Sequence, residues 1–513
     1  MKLDSKKQIA LGAIMSYISI GINIVTGLVF TPWMIHSIGK ENYGLFTLAL
    51  SVISLFVFDF GLSSAITRFL SIYIADGKKE KIEQCLGLVL RIYLVIDIFL
   101  FLVLCSVYFF IPYIYKELTL EEIEKFKVIY IMAASFSIFS LPFIPANGIL
   151  TANEKFVQNK VCDIIHKILV VLTMTVVLLY NGGLYTLVMV NIWSGMIAYL
   201  AKLWCIYRFT DTRIDLHYFN RLEIKEILQF SGWITIVSIC KRLIFTIAPT
   251  ILGFFCGSAS IAIFGIANAI EGYVFYFADA LSGLLLPRVS RVYIKEHGNV
   301  LPLMIKVGRI QLYIVSAIVF GFIVLGQDFL NLWLGEQFAD SYICIILLIL
   351  PCVFQLPQEV GSHAIIVQNK VKEQAKVFII MGLLNIVFGV ILTSLFDVLG
   401  MCLSIFISSF VRTIGLDIIM YRSLKIDVFK FFKSTFIKQT APLLLAMGIS
   451  IYINTIFECS GWLLFAVESL LYCILFSVCS FVVMNEDEKR IASNFLSKAL
   501  ITQHYYKLNF LST

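Results

Sequence analysis

Lys241 and Arg242 stand side by side near the middle of FSGWITIVSICKRLIFTIAPTILGF, an apolar run over 230–254 that is long enough to cross a membrane. An ionisable group at bilayer depth costs at least about 2.5–3.5 kcal/mol, so such groups face a bundle interior or a wet cavity and mark a pathway. The plainer reading of Lys241 is a snorkelling or salt-bridged structural residue. Glu271 lies at a similar depth on the next run, and Asp279 lies nearer its cytoplasmic end. A Lys241–Glu271 pair would be the cheap structural solution. Arg242 points roughly 100° away on the same helix, so one acid does not neutralise both cations. The leftover charge suits an anionic ligand held by charge-assisted hydrogen bonds. Arg412, with Asp417 on the same later run, is a further cavity candidate.

Asp59, Arg68 and Asp97 lie in earlier runs and, with Glu271 and Asp279, read as coupling or gating residues. On a straight helix Asp59 and Arg68 can share a face without touching, so each needs another partner. Asp97 is suited either to a plain polar partner or to neutralising a cation or carrying a coupling proton. His166 and His363 read as interfacial or core histidines. HExxH, Walker A, GxSxG and paired-cysteine spacings are all missing, which removes the usual signatures of a catalytic or metal site and implies no cofactor. Proton and sodium both remain open as a coupling ion.

The elements that must position these residues follow from composition. The chain is 60% hydrophobic and 14% charged, which excludes an ordinary soluble domain and indicates an all-α, polytopic membrane protein. Its net charge of +7 sits in short clusters between apolar runs, where it orients spans and leaves no nucleic-acid footprint. Cys105, Cys240, Cys344, Cys402 and Cys473 occur singly in apolar runs and read as small core hydrophobes. The first run, after Lys2, Lys6 and Lys7, continues to about Phe30 without a small-residue cleavage site and reads as a retained span.

A ruler of about 20 apolar residues gives about fourteen spans. They include a second over 44–68, a third over 86–111, a seventh over 230–254, an eighth over 260–286, an eleventh over 377–396 and a twelfth over 399–421. Lys and Arg concentrate in the even-numbered connections, whereas the third connection, KELTLEEIEKFK, is net negative. That alternation puts both termini in the cytoplasm. The expected organisation is an N-lobe over 1–207, a cytoplasmic linker helix over 208–229, a C-lobe over 230–422, a basic linker over 423–440, two extra spans over 441–484, and a cytoplasmic tail over 485–513. Because six spans precede the linker, the two six-helix lobes form a parallel pseudo-repeat. Pro32 and Pro249, each late in the first span of its lobe, support it, as do the glycines that follow at Gly39, Gly44, Gly257 and Gly265.

In the second span Phe58, Asp59, Phe60, Gly61 and Leu62, then Ala65 and Arg68, resemble the DxGL…R pattern of the polysaccharide transporter family. These are the Wzx-like O-antigen and capsule flippases of the multidrug/oligosaccharidyl-lipid/polysaccharide superfamily. Ile38 and Gly39 with Tyr43 to Phe46, Leu284 to Ser290, and Leu330 to Gly335 agree in order. The resemblance implies alternating-access movement of an undecaprenyl-diphosphate-linked oligosaccharide across the bacterial cytoplasmic membrane, among membrane lipids and in company with polysaccharide polymerase machinery. A MATE-type multidrug exporter would want acidic residues for cationic drugs, which the basic pair argues against. A lipid II flippase would recognise its diphosphate in the same way. A membrane polymerase would need a larger outer loop than 112–127 or 327–340 supplies.

Reporter fusions at Lys79, Arg213, Lys295, Lys372 and Lys433 are expected to read cytoplasmic, and those at Glu122, Ser258 and Ala339 exterior. An exterior signal at Arg213 would require an odd span count before the linker and would break the two-lobe scheme.

Overall fold

The computed structural model describes residues 5–56, 59–180, 182–210, 213–279, 289, 292, 299–368, 370–456, 461–486 and 488–490. Among these, the secondary structure is helical, and twelve helices are long and apolar enough to cross a membrane. The chain is a multi-pass membrane protein. Large apolar side chains on the outward faces show why. The helix Lys79–Ile114 buries Leu88, Tyr93, Leu100 and Ile111 while Val95, Ile98, Phe99 and Phe109 stay exposed. A helix apolar on every side is stable only where its outer face meets lipid.

The chain separates into two compact units. The first comprises Met1–Ala280, Asp340–Pro351 and Asn369–Leu416, and the second Leu281–Ala339, Cys352–Gln368 and Asp417–Thr513. In the first unit the helices are α1 (Ser5–Ile38), α2 (Lys40–Phe56), α3 (Leu62–Ala75), α4 (Lys79–Ile114), α5 (Leu120–Ser140), α6 (Pro145–Ala152), α7 (Phe156–Leu179), α8 (Leu184–Phe209), α9 (Arg221–Phe245), α10 (Ala248–Phe255) and α11 (Ser258–Asp279). Then come α12 (Leu301–Leu334), α13 (Ser341–Gln355), α14 (Glu359–Val367), α15 (Val371–Arg422), α16 (Val428–Phe432), α17 (Lys438–Ile456) and α18 (Trp462–Val483).

Several expected elements are corrected. The second span is not one helix, because it breaks between α2 and α3, where Phe60 and Gly61 both have positive φ. The seventh is also broken. Pro249 cannot donate a backbone hydrogen bond, and α9 ends at Phe245 before α10 begins at Ala248. The expected surface helix of the linker is instead the first part of α9, which runs unbroken into the seventh span from an N-cap at Asn220. The eleventh and twelfth spans are the two arms of α15, separated by non-helical Phe396 and Asp397. Cys105 and Cys473 are exposed rather than core.

In the first unit α2 packs on α11, α1 on α7, α7 on α8 and α3 on α6. The α2–α11 approach depends on Gly44, where a Cβ would lie 2.0 Å from the Ser258 carbonyl oxygen. Ser258 also donates to Glu122 Oε1. Glu122 is itself the third residue of α5, and it closes a capping box with Thr119, accepting from the Thr119 N–H at 2.8 Å.

The second unit is built on α12, which packs against α14, α17 and α18. Val324, Leu325, Leu443, Ala446, Tyr472 and Phe476 form its buried cluster. Arg309 is 4% exposed within α12. Its Nε lies 2.6 Å from Glu488 Oε1 and its Nη2 donates to Glu488 Oε2 at 3.0 Å, so the start of the tail is clamped into the unit.

Truncating one member of this pair leaves the other charged and buried, which costs about 3–5 kcal/mol. Glu488→Ala should therefore lower the thermal midpoint of the detergent-solubilised protein substantially. Arg309→Met combined with Glu488→Leu should recover most of the loss. Equal midpoints for wild type and Glu488→Ala would show that the clamp contributes nothing.

Candidate functional site

The break between α2 and α3 is held from within. Asp59 Oδ1 accepts from the Ser63 N–H at 3.0 Å, the Ser63 hydroxyl at 2.6 Å and the Tyr93 hydroxyl at 2.9 Å. The carboxylate thus caps α3 and ties it to α4. Phe60 at φ 50° is an unfavourable conformation for an aromatic residue. It costs about 1–3 kcal/mol, and such strain clusters at switch regions and ligand clamps. Arg68 lies over the Phe69 ring at 5.8 Å. The helix break therefore gives Asp59 and Arg68 separate partners, so the shared face of a straight helix does not apply.

The break between α9 and α10 frees carbonyls at membrane depth, and two side chains take three of them. Asn385 Nδ2 donates to Leu243 O at 2.9 Å and Ile244 O at 3.1 Å, and Ser51 donates to Thr246 O. Asn385, fully buried on α15, is oriented by the Ser404 hydroxyl, which donates to its Oδ1 at 3.1 Å. This brace was not anticipated. Pro249 signals that donors are needed, but nothing in the sequence says which helix supplies them.

Arg242 donates through Nη1 to the Ser54 carbonyl of α2. Arg412 stands 5.9 Å from the centre of the Phe378 ring, and its charge acts on the Glu271 carboxylate. Arg242, Glu271 and Arg412 thus all belong to the first unit, on α9, α11 and α15. Glu271 therefore has Arg412 as a cationic neighbour, in addition to the Lys241 expected from depth. The side chains of Lys241 and Asp279 lie outside the described residues, so the Lys241–Glu271 pair is not described. Asp97 has a buried Oδ1 with no hydrogen-bond partner among the described residues. Asp417 Oδ1 is in the same condition.

A second polar cluster was missed. Lys202 on α8 is buried, and its Nζ donates to Asp163 Oδ1 at 2.7 Å and Asn147 Oδ1 at 2.9 Å, joining α6, α7 and α8. The signal was present, since both charges fall inside expected spans. Fully satisfied pairs of this kind fix packing more than they add stability. Among the described residues no cluster of His, Cys, Asp and Glu could hold a metal ion.

Broken helices at membrane depth, with guanidinium groups on the spans beside them, define a helical membrane transporter fold. The chain superposes on a lipid II flippase, MurJ, in an inward closed conformation with a TM-score of 0.71 at 14% identity, covering 92% of this chain and 98% of that one. It matches an inward-facing multidrug resistance MATE family transporter of the MOP superfamily with a TM-score of 0.61 at 15% identity, over 82% and 99%. A mutant MATE transporter from Vibrio cholerae gives 0.57 at 11%, over 82% and 98%. No curated protein sequence matches the chain. The chain belongs to the polysaccharide biosynthesis protein family, whose model matches residues 9–294.

Asp59→Asn retains an acceptor and should leave the thermal midpoint nearly unchanged. Asp59→Ala removes the cap and leaves the Tyr93 hydroxyl only the Asp59 main-chain carbonyl, 3.1 Å away, and should cost about 1–2 kcal/mol. Thermal unfolding in detergent distinguishes the two, and equal midpoints would remove the capping role.

Proposed function

We propose that this protein is a flippase that moves an undecaprenyl-diphosphate-linked oligosaccharide across the bacterial cytoplasmic membrane, with both termini cytoplasmic, during assembly of a surface polysaccharide such as O-antigen or capsule. The observation that carries the reading is the presence of Arg242 and Arg412 on membrane-spanning helices of one unit, in a chain of the polysaccharide biosynthesis family. Two guanidiniums in an apolar setting are suited to a diphosphate, which they meet with charge-assisted, bidentate hydrogen bonds. Lys241 is the third cation of this cargo site.

The lobes over 1–207 and 230–422 rock about the site in alternating access. Asp59, Arg68, Asp97, Glu271 and Asp279 are the coupling or gating set. The buried, unpartnered Oδ1 of Asp97 makes it the candidate carrier of a coupling proton. No catalytic group or cofactor enters the mechanism. Lipid II is the second cargo reading, favoured by the likeness of the fold to the lipid II flippase. The guanidiniums argue against a cationic drug.

A charge-assisted hydrogen bond contributes about 1.5–3 kcal/mol, so losing one cation should weaken cargo binding roughly 10- to 100-fold. In a strain lacking the gene, Lys241→Ala and Arg242→Ala should reach normal membrane abundance yet fail to restore surface polysaccharide, with lipid-linked oligosaccharide accumulating on the inner leaflet. Normal export by both variants would end the cargo-site assignment. Restoration of cell-wall synthesis in a strain depleted of its lipid II flippase would favour the second cargo.

A further inference from the structure

Three contacts between the second and seventh spans fall in one antiparallel series. Thr246 O accepts from the Ser51 hydroxyl, Ser54 O from Arg242 Nη1, and Phe60 O from the Thr235 hydroxyl at 2.6 Å. As residue number rises along α2 and across its break, the partner number falls along α9. Thr235, Arg242 and Thr246 are spaced seven and four residues apart, which puts them on one face of the helical turn. The acceptors in this seam are all main-chain carbonyls. Two of them adjoin helix breaks, at Phe60 with its positive φ and at Thr246 beyond the end of α9.

The three bonds are unequal. The Ser51 and Thr235 hydroxyls are neutral donors, and the single Thr235 proton is shared with the Ser231 carbonyl, 2.9 Å away. Arg242 supplies the charged donor, and a hydrogen bond to a charged group is the strongest kind in such a set. Its acceptor within this series, Ser54 O, is a neutral carbonyl. A phosphate oxygen carries formal charge and matches the guanidinium fork at two points, so it outcompetes a carbonyl for the same N–H groups.

We propose that Arg242 is the latch of this α2–α9 seam and that an anionic, phosphate-bearing cargo opens the seam by drawing the guanidinium away from Ser54 O. This rests on the reading of Arg242 as a cargo residue and adds how binding is transmitted. Turning the fork toward phosphate removes the central bond of the series. The two neutral hydroxyl bonds then remain of this series, across a strained break in one span and a proline-interrupted break in the other. A ligand shifts such an equilibrium only by its differential affinity for the two arrangements. The competition for one guanidinium is that difference. Arg242 and Thr235 act here as positioning residues for the helices.

The test uses the full chain in detergent with its 12 cysteines replaced by serine, Phe60→Cys and Thr235→Cys introduced for oxidative cross-linking, and farnesyl diphosphate as the probe with farnesol as the uncharged control. Cross-linking should be efficient without probe, fall several-fold with farnesyl diphosphate, and stay unchanged with farnesol. Adding Arg242→Ala should lower cross-linking at the outset and abolish the response, whereas Arg242→Lys should retain part of both. In the cysteine-free chain carrying the native Thr235, cross-linking is replaced by probe-induced thermal stabilisation. There Ser51→Ala should lower the diphosphate concentration for half effect roughly two- to tenfold, as expected for loss of one neutral bond that opposes opening. Farnesyl diphosphate that stabilises the protein in an Arg242-dependent way while cross-linking stays constant would overturn the latch and leave the cargo site standing. Absence of any Arg242-dependent stabilisation would overturn both.

Discussion

A main-chain carbonyl released from a helix in the apolar part of a membrane has no water to turn to, and costs several kcal/mol until a donor within the protein takes it. Much of the first unit is arranged around that constraint. The second span breaks at Phe60 and Gly61, and the seventh at Thr246 and Ile247. Asp59, Ser51, Thr235, Arg242 and Asn385 are the groups that satisfy what the breaks expose. Because the donors among them, Ser51, Thr235, Arg242 and Asn385, come from α2, α9 and α15, each break is tied to another span. A local irregularity thereby becomes a tertiary contact.

The same arrangement explains how a charge can serve both scaffold and cargo. Arg242 contributes to the backbone accounting of α2 in the structure, yet a guanidinium keeps further donors and a full charge. Arg412 similarly rests on the Phe378 ring while acting on Glu271. Arg309 is held in a closed bidentate ion pair with Glu488. In the second unit that pair clamps the beginning of the tail to α12, and in the first Lys202 is likewise engaged by Asp163 and Asn147. These fixed pairs hold packing, and Arg242 and Arg412 reach, among their contacts, a main-chain carbonyl and a ring face.

The fold class was legible in the chain itself. Apolar runs of span length, separated by clusters of Lys and Arg, specify a multi-pass helical protein because both signals are local and set by the bilayer. The arms of α15 on either side of Phe396 and Asp397 match the expected eleventh and twelfth spans to within a few residues. The break beside Pro249 has a local cause, since proline's missing donor acts wherever it stands. The break at Asp59–Gly61 was not read as a break. Hydropathy passes through it smoothly, and the capping role of Asp59 depends on Ser63 and on Tyr93 from another helix.

Sequence alone determined the helical, multi-pass class and the presence of Lys241, Arg242, Glu271 and Arg412 within apolar runs, because hydropathy is a property of position along the chain. Tertiary structure decided what those residues meet. Depth alone suggested Lys241 for Glu271, whereas packing also brings Arg412 within range of it. The Arg242 acceptor is a carbonyl 188 residues away in the chain, and the carbonyls beside Pro249 are taken by Asn385 from a distant span. Pairings of this kind depend on which helix faces cross and how they rotate against one another. A linear pattern of apolar and charged residues constrains helix rotation only weakly when every face is apolar.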